Sequence, residues 1–194
     1  MFLRTLACIG LLCLVGACGG GGRPHEGKTV LCLQPVDTGS LSVHAFGGAL
    51  KAAAENSGDK FAGGVGRHAD PARIVFFAKG AVDPREMEAF HEQMKAGGAA
   101  AVGFVQLVFG RASEESAVGN VRIRQELVYR VVDVHGKVMT SGIARAKGER
   151  SVRTSGAARN AAVASVLAEG VDRVVHEAAR KICDFCNSAG ERKK

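Results

Sequence analysis

Val121-Arg122-Ile123-Arg124-Gln125-Glu126-Leu127-Val128-Tyr129-Arg130-Val131 places Val121, Ile123, Gln125, Leu127, Tyr129 and Val131 at odd positions, and Arg122, Arg124, Glu126 and Arg130 among the even ones. Successive side chains of a strand point to opposite faces, so this period of two predicts a strand with one face on a core and the other in water. Val134-His135-Gly136-Lys137 then predicts a tight turn, with Gly136 tolerating positive φ. Val138 to Lys147 is expected to return as the partner strand, with Ile143 apolar and Arg145 and Lys147 polar.

Downstream, residues 148–156 read as a polar connection. A final helix is expected from about Ala157 to Phe185, because Val163, Leu167, Val171, Val174, Ala178, Ile182 and Phe185 recur at steps of three and four. Gly170 lies inside it, tolerated at some cost. Upstream, Thr29-Val30-Leu31-Cys32-Leu33 reads as a buried strand ended by Pro35 and Asp37-Thr38-Gly39-Ser40. Leu41 to Glu55 has helical spacing at Leu41, Phe46, Ala49, Leu50 and Ala53, weakened by Gly47-Gly48 at about 1 kcal/mol per glycine. Residues 57–70, glycine-rich and polar, predict a loop or an irregular short strand. Arg73 to Ala78 predicts a second buried strand. Asp83-Pro84-Arg85-Glu86 predicts a helix start, carried on by Met87, Phe90, His91 and Met94 and stopped by Gly97-Gly98. Ala101 to Phe109 predicts a third strand, followed by a loop from Arg111 to Asn120.

The elements add up to an α+β fold of layered α/β character. A mixed β-sheet of about five strands carries helices mainly on one face, in the order β-α-β-α-β-β-β-α. One domain is expected over residues 29–186, with a flexible basic tail over 187–194.

The beginning of the chain carries an address. Met1-Phe2-Leu3-Arg4 is short and positively charged, and Leu6 to Val15 is an apolar run too short for a permanent span of ~20 residues. Both features fit a secretory signal peptide. Val15-Gly16-Ala17-Cys18 resembles the lipobox of bacterial lipoproteins, in which small residues precede a cysteine that is acylated before cleavage. The resemblance implies a signal peptide over 1–17, lipidation of Cys18 with covalent diacylglycerol and acyl chains, and a glycine-rich tether over 18–28 that begins Gly19-Gly20-Gly21-Gly22. Gly19 is not an inner-membrane retention residue, so by resemblance to lipoprotein sorting the expected place is the outer membrane, periplasmic side. Cleavage removes Arg4 alone among the charges, leaving 25 Lys and Arg against 19 Asp and Glu, a net +6 on 177 residues. That balance permits acidic partners without naming one. Nucleic acid is not expected as a partner of an exported chain.

The element order and three local patterns are similar to a group of small envelope domains, the curli-secretion lipoproteins and the amino-terminal domain of the Tol-system periplasmic protein. The patterns are Ala99-Ala100-Ala101-Val102-Gly103-Phe104-Val105, the hairpin Tyr129 to Val138, and the alanine-rich helix Ala158 to Ile182. The resemblance implies a fold, not a chemistry. Pore-forming members add a pair of long alternating segments of ~9–11 residues each that cross a membrane; no spare pair of that kind exists here and Arg111 to Asn120 is too short to hold one, so a secretion pore is not expected.

Chemistry-bearing residues are few. Cys183-Asp184-Phe185-Cys186 is a CxxC pair, but it lies at the C-terminal end of a helix, where the dipole disfavours a thiolate. In an oxidising envelope the expected role is structural: Cys32 bonded to one of the pair, or Cys183 bonded to Cys186. A thiol oxidoreductase working through Cys183 and Cys186 is the lesser alternative. His176 lies seven residues before Cys183, which is no recognised zinc-ligand spacing, and His25, His44, His68, His91 and His135 are scattered, so no metal site is expected. Gly39-Ser40-Leu41-Ser42-Val43 lacks the second glycine of a nucleophile elbow, and Gly63-Gly64-Val65-Gly66 lacks the P-loop lysine. No catalytic residues and no enzyme activity are expected. The remaining candidate is a surface: Arg122, Arg124, Arg130, Arg145 and Lys147 share the outward face of the hairpin, with Arg150 and Arg153 close by. That face fits an anionic glycolipid, a small anionic ligand or an acidic protein. The expected function is a membrane-anchored, non-enzymatic accessory or assembly factor for an envelope complex, with a protein partner; the alternative is binding of an anionic glycolipid or small ligand through the basic face.

Overall fold

The computed structural model describes residues 23–36, 47–78, 83–110, 112–117, 120–151 and 156–189. Cys18 with its lipobox and glycine run, Leu41 to Phe46 of the second element, and residues 190–194 of the tail lie outside them.

The elements run β1 (Thr29–Leu33), α1 (Gly47–Ala54), α2 (Ser57–His68), β2 (Ile74–Phe77), α3 (Pro84–Ala96), β3 (Ala101–Phe109), β4 (Ser113–Ala117), β5 (Asn120–Val132), β6 (Val138–Ser151) and α4 (Ala157–Ala189). They form a mixed six-stranded sheet. β1 is parallel to β2 and β3, whereas β3, β4 and β6 are antiparallel to β5. β6 pairs along the whole of β5, so β3 and β4 share the other edge of β5, one after the other. Phe109 pairs with Leu127 and Ser113 with Arg124, so β4 takes up the pairing with β5 close to where β3 leaves it.

The alternation read from the sequence sets the layers. Leu31, Leu33, Val105, Leu107, Ile123, Leu127, Tyr129 and Val131 enter a large core under α1, α2 and α4. Val30, Cys32, Val102, Phe104 and Val132 point the other way, into a smaller core that Met87, Phe90 and Met94 of α3 cover. Three helices therefore lie on one face and one on the other. α3 starts as expected: the Asp83 carboxylate accepts from Glu86 N at 2.9 Å, and Pro84 occupies the first turn.

Five expectations need correction. Residues 57–70 are not a loop: α2 forms despite Gly58, Gly63, Gly64 and Gly66 because Phe61 and Val65 are buried and Gly64 lets α4 approach. A Cβ on Gly64 would lie 2.8 Å from that of Ala179. Tertiary burial outweighs the propensity deficit of about 1 kcal/mol per glycine. The loop after Arg111 contains β4. The polar connection after Lys147 is still β6, as far as Ser151. The tether is not loose throughout, since Arg23–Lys28 form a turn in which His25 N and Gly27 N donate to the Gly97 and Gly98 carbonyls, at 3.0 and 3.1 Å. At the other end α4 runs through Ala189, so residues 187–189, assigned to the tail, are helical. There the Asn187 side chain donates to the His68 carbonyl at 3.3 Å, and Arg73 donates to the Asn187 carbonyl.

Candidate functional site

β6 explains how one hairpin packs on one face and stays open on the other. Its inward positions Gly142, Ala144, Ala146 and Gly148 are all small, and they let α4 lie close against the strand. A Cβ on Gly148 would come within 2.6 Å of Val166 Cγ1, and one on Gly142 within 2.6 Å of the Tyr129 ring. Gln125, 3 % exposed, is the polar member of the inward row; its Nε2 donates to the Leu167 carbonyl at 3.1 Å, opposite Gly170.

On the outward face the strand register sets residues side by side in rows. Arg122 faces Glu149 and grips it through two bonds of 3.0 Å. Arg124 faces Lys147, so two cations stand directly across from one another. Glu126 faces Arg145 and accepts from it at 2.7 Å. Val128 lies between Val108 and Ile143, an apolar row across three strands whose outer members are 38 % and 40 % exposed. Arg130 lies between Gln106 and Ser141. The five cations singled out from the sequence do share this face. Arg122 and Arg145 are held by carboxylates that the alternation also places there. The shallow depression around Arg124, Glu126, Arg145 and Lys147 measures about 270 Å³ and is charged. It differs from the apolar clefts that bury small ligands.

Arg150 does not join them. It opposes inward-facing Val121, and it donates to Ser165 Oγ of α4 at 2.8 Å and pairs with Glu169 at 3.6 Å. Arg153 lies outside the described residues, as does His44.

The cysteines are on two sides of the sheet. Cys32 packs in the core under α3, whereas Cys183 and Cys186 pack in the core under α4. All three are buried and there is no disulfide among them. A bond from Cys32 to either helix cysteine would have to pass through the sheet. Cys183 and Cys186 are three residues apart on one helix, where Cβ atoms stand roughly 5–6 Å apart, beyond the ~3.5–4.5 Å of a disulfide. Burial pushes the Cys183 thiol up to about 11 and the Cys186 thiol up to about 12, with Asp184 adding to the first. Buried, protonated thiols are poor attacking groups, which counts against the oxidoreductase alternative. Among the described residues, no three His, Cys, Asp or Glu side chains come together as metal ligands, and no helix is long and apolar enough to cross a membrane.

The sequence reading missed one edge of the sheet, that of β6. The Gly110 amide donates to the Glu126 carbonyl at 2.9 Å, so Glu126 turns its backbone toward the β3 side and away from β6. In an antiparallel pair the residue opposite then also turns away, so Ile143, Arg145 and Lys147 aim their N–H and C=O groups at the outer edge of β6. The Lys147 carbonyl accepts from Arg173 at 3.2 Å, as that orientation requires. Among the described residues β6 pairs with β5 alone. The signal was available: the small residues at 142, 144, 146 and 148 mark the inward side, and the absence of a further strand pattern after β6 marks the edge.

No family model matches this chain, and no curated protein matches it. Solved structures do. A minor lipoprotein from Acinetobacter baumannii is 11 % identical with a TM-score of 0.39, over 83 % of this chain and 94 % of that one. A hypothetical protein from Chlamydia trachomatis is 12 % identical with a TM-score of 0.47, over 82 % and 98 %. An uncharacterized lipoprotein B from Nitrosomonas europaea is 14 % identical with a TM-score of 0.38, over 92 % and 96 %. At these values the likeness transfers no activity and no site residue from those proteins to this chain.

Proposed function

We propose that this protein is a lipid-anchored envelope accessory factor that docks on a larger protein assembly, held through Cys18 at the periplasmic side of the outer membrane. The observation that carries the docking reading is the outward face of β5 and β6, where the partly exposed Val108–Val128–Ile143 row runs between rows of charge. A compact apolar row within a polar surround is the usual make-up of a protein contact. Val15-Gly16-Ala17-Cys18 and the glycine run after it support the anchor. Crosslinked co-purification from native envelopes, with Cys18→Ala as the unanchored control, tests both parts. A defined partner set that disappears in the control is expected; no protein partner in either sample would overturn the reading.

One observation favours a second reading, an anionic glycolipid bound on the same face: the register gathers Arg122, Arg124, Arg130, Arg145 and Lys147 on one side of β5 and β6. Reversing charge at Arg122, Arg124 and Arg130 should then abolish binding to vesicles containing phosphorylated glycolipid. Unchanged binding would sink it.

A further inference from the structure

The outer edge of β6 borders a groove of about 390 Å³ lined by Ile143 and Arg145 of β6 and by Arg173, Glu177 and Lys181 of α4. The strand contributes backbone groups. Ile143, Arg145 and Lys147 present theirs outward, and the Lys147 carbonyl accepts from Arg173. The helix contributes a stripe. Arg173, Glu177 and Lys181 are four residues apart, a rise of roughly 6 Å per step, and alternate strand residues advance roughly 6.7 Å. Arg173 meets Lys147 while Val166 lies against Gly148, so helix numbers rise as strand numbers fall. The two repeats therefore keep pace, with Lys181 toward Ile143 and Arg173 beside Lys147.

We propose that this groove receives an extended segment of a partner protein, added as a further strand to the edge of β6, with carboxylates four residues apart facing Arg173 and Lys181. The segment's backbone bonds to Ile143, Arg145 and Lys147, and its alternate side chains are read by the helix stripe. This is strand addition, in which main-chain bonds give affinity and alternate side chains give specificity. Charge selects the occupant. The groove lining has three cations, Arg145, Arg173 and Lys181, of which Glu126 holds Arg145 at 2.7 Å, and one carboxylate, Glu177, which Arg180 at 2.8 Å and Lys181 at 3.4 Å already hold. The Arg180 and Lys181 contacts keep Glu177 ionised, below the usual carboxylate range. Arg173 reaches Glu169 only at 4.0 Å. A second copy of this basic chain is disfavoured at such an edge, and so is its own terminal stretch Glu191-Arg192-Lys193-Lys194.

The proposal rests on the docking reading for the nature of its partner, yet it is tested on the purified full chain in detergent. The probe is a short fluorescein-labelled peptide of alternating valine and threonine with two aspartates four residues apart, followed by fluorescence anisotropy. The control peptide has the aspartates three apart, on opposite faces of a strand. The matched peptide is expected to bind, and the control to bind about tenfold more weakly or not at all, the scale of one lost charge-assisted contact. Ile143→Pro removes one outward N–H and none of the bonds to β5, so it should cost about tenfold in affinity while circular dichroism stays native. Arg173→Glu should cost at least as much. Hydrogen exchange gives an independent check: in the peptide-free chain the Ile143 and Arg145 amides exchange fast while Ala144 and Ala146 are protected, and the peptide protects the first two. No binding, equal binding of both peptides, or a loss caused by Lys147→Glu but not by Ile143→Pro would overturn the proposal. Co-purification through another surface would leave the docking reading standing.

Discussion

Gly170→Ala sets helix propensity against packing in the contact between α4 and β5. In an open helix interior the change stabilises by about 1 kcal/mol. Here an added Cβ would lie 2.8 Å from Gln125 Cδ and closer still to its Oε1. Gln125 cannot simply swing aside, being 3 % exposed and bonded to the Leu167 carbonyl at 3.1 Å. Displacing the amide leaves buried donor capacity unmet, at roughly 1–3 kcal/mol. Backing the helix off the sheet costs on the order of 1–3 kcal/mol as overpacking. Either exceeds the propensity gain at its midpoint, so a net loss of about 1–2 kcal/mol is expected. Urea unfolding followed by circular dichroism should show a lower midpoint with the same slope. Gln125→Ala removes the obstacle, and on that background Gly170→Ala should recover about 1 kcal/mol, reversing its sign. A raised midpoint in the otherwise native chain, or the same effect on both backgrounds, would refute the close contact.

The thiols of Cys183 and Cys186 titrate higher in the folded chain than when unfolded, so the folded state keeps its protons longer as pH rises. Their contribution is complete below the ordinary value of 9.0 and is lost from there up to about 11 and 12, by as much as about 1.4 kcal/mol per pH unit for each thiol. Urea midpoints measured from pH 8 to 10.5, as an order-of-magnitude range set by those thiols, should fall more steeply in the native chain than in Cys183→Ala/Cys186→Ala; parallel slopes would contradict their burial as thiols. Lys147→Glu replaces a like-charge pair with an ion pair opposite Arg124 and should stabilise by about 0.2–1 kcal/mol in low salt, an effect that 1 M salt should erase. A lower thermal midpoint at low salt would count against the register. Gly103→Ala would bring a Cβ within 2.5 Å of Val131 Cγ1 and should cost about 1–3 kcal/mol, read as a drop in the urea midpoint.

Local patterns carried much of the architecture. Alternation from Val121 to Val131 placed every inward side chain of β5, because strand geometry maps sequence parity directly onto faces. The three- and four-residue steps of α4 placed Val163, Leu167, Val171, Val174, Ala178 and Ile182 in the core for the corresponding helical reason. The basic face was legible by the same parity. Its strength was not, because Glu149 and Glu126 reach Arg122 and Arg145 only once the strand register is set.

α2 was illegible because four glycines argue against a helix, and the argument for one lies in α4, more than a hundred residues away, through Gly64 and Ala179. β4 was illegible because Ser113–Ala117 has no apolar alternation and is a strand through its pairing with β5. The cysteines show the same division. Spacing identified Cys183 and Cys186 as neighbours on one helix, but Cys32 belongs to the opposite face of the sheet, and no spacing along the chain records that. The sequence by itself determined that β5, β6 and α4 exist and which faces of β5 and α4 are buried, since those are properties of short-range periodicity. Only the tertiary structure decided that β6 lies at an edge, which carboxylates reach Arg122 and Arg145, and which glycines are seats for another element. Each of those depends on what lies across space from a residue, and that neighbour is set by packing rather than by the chain on either side.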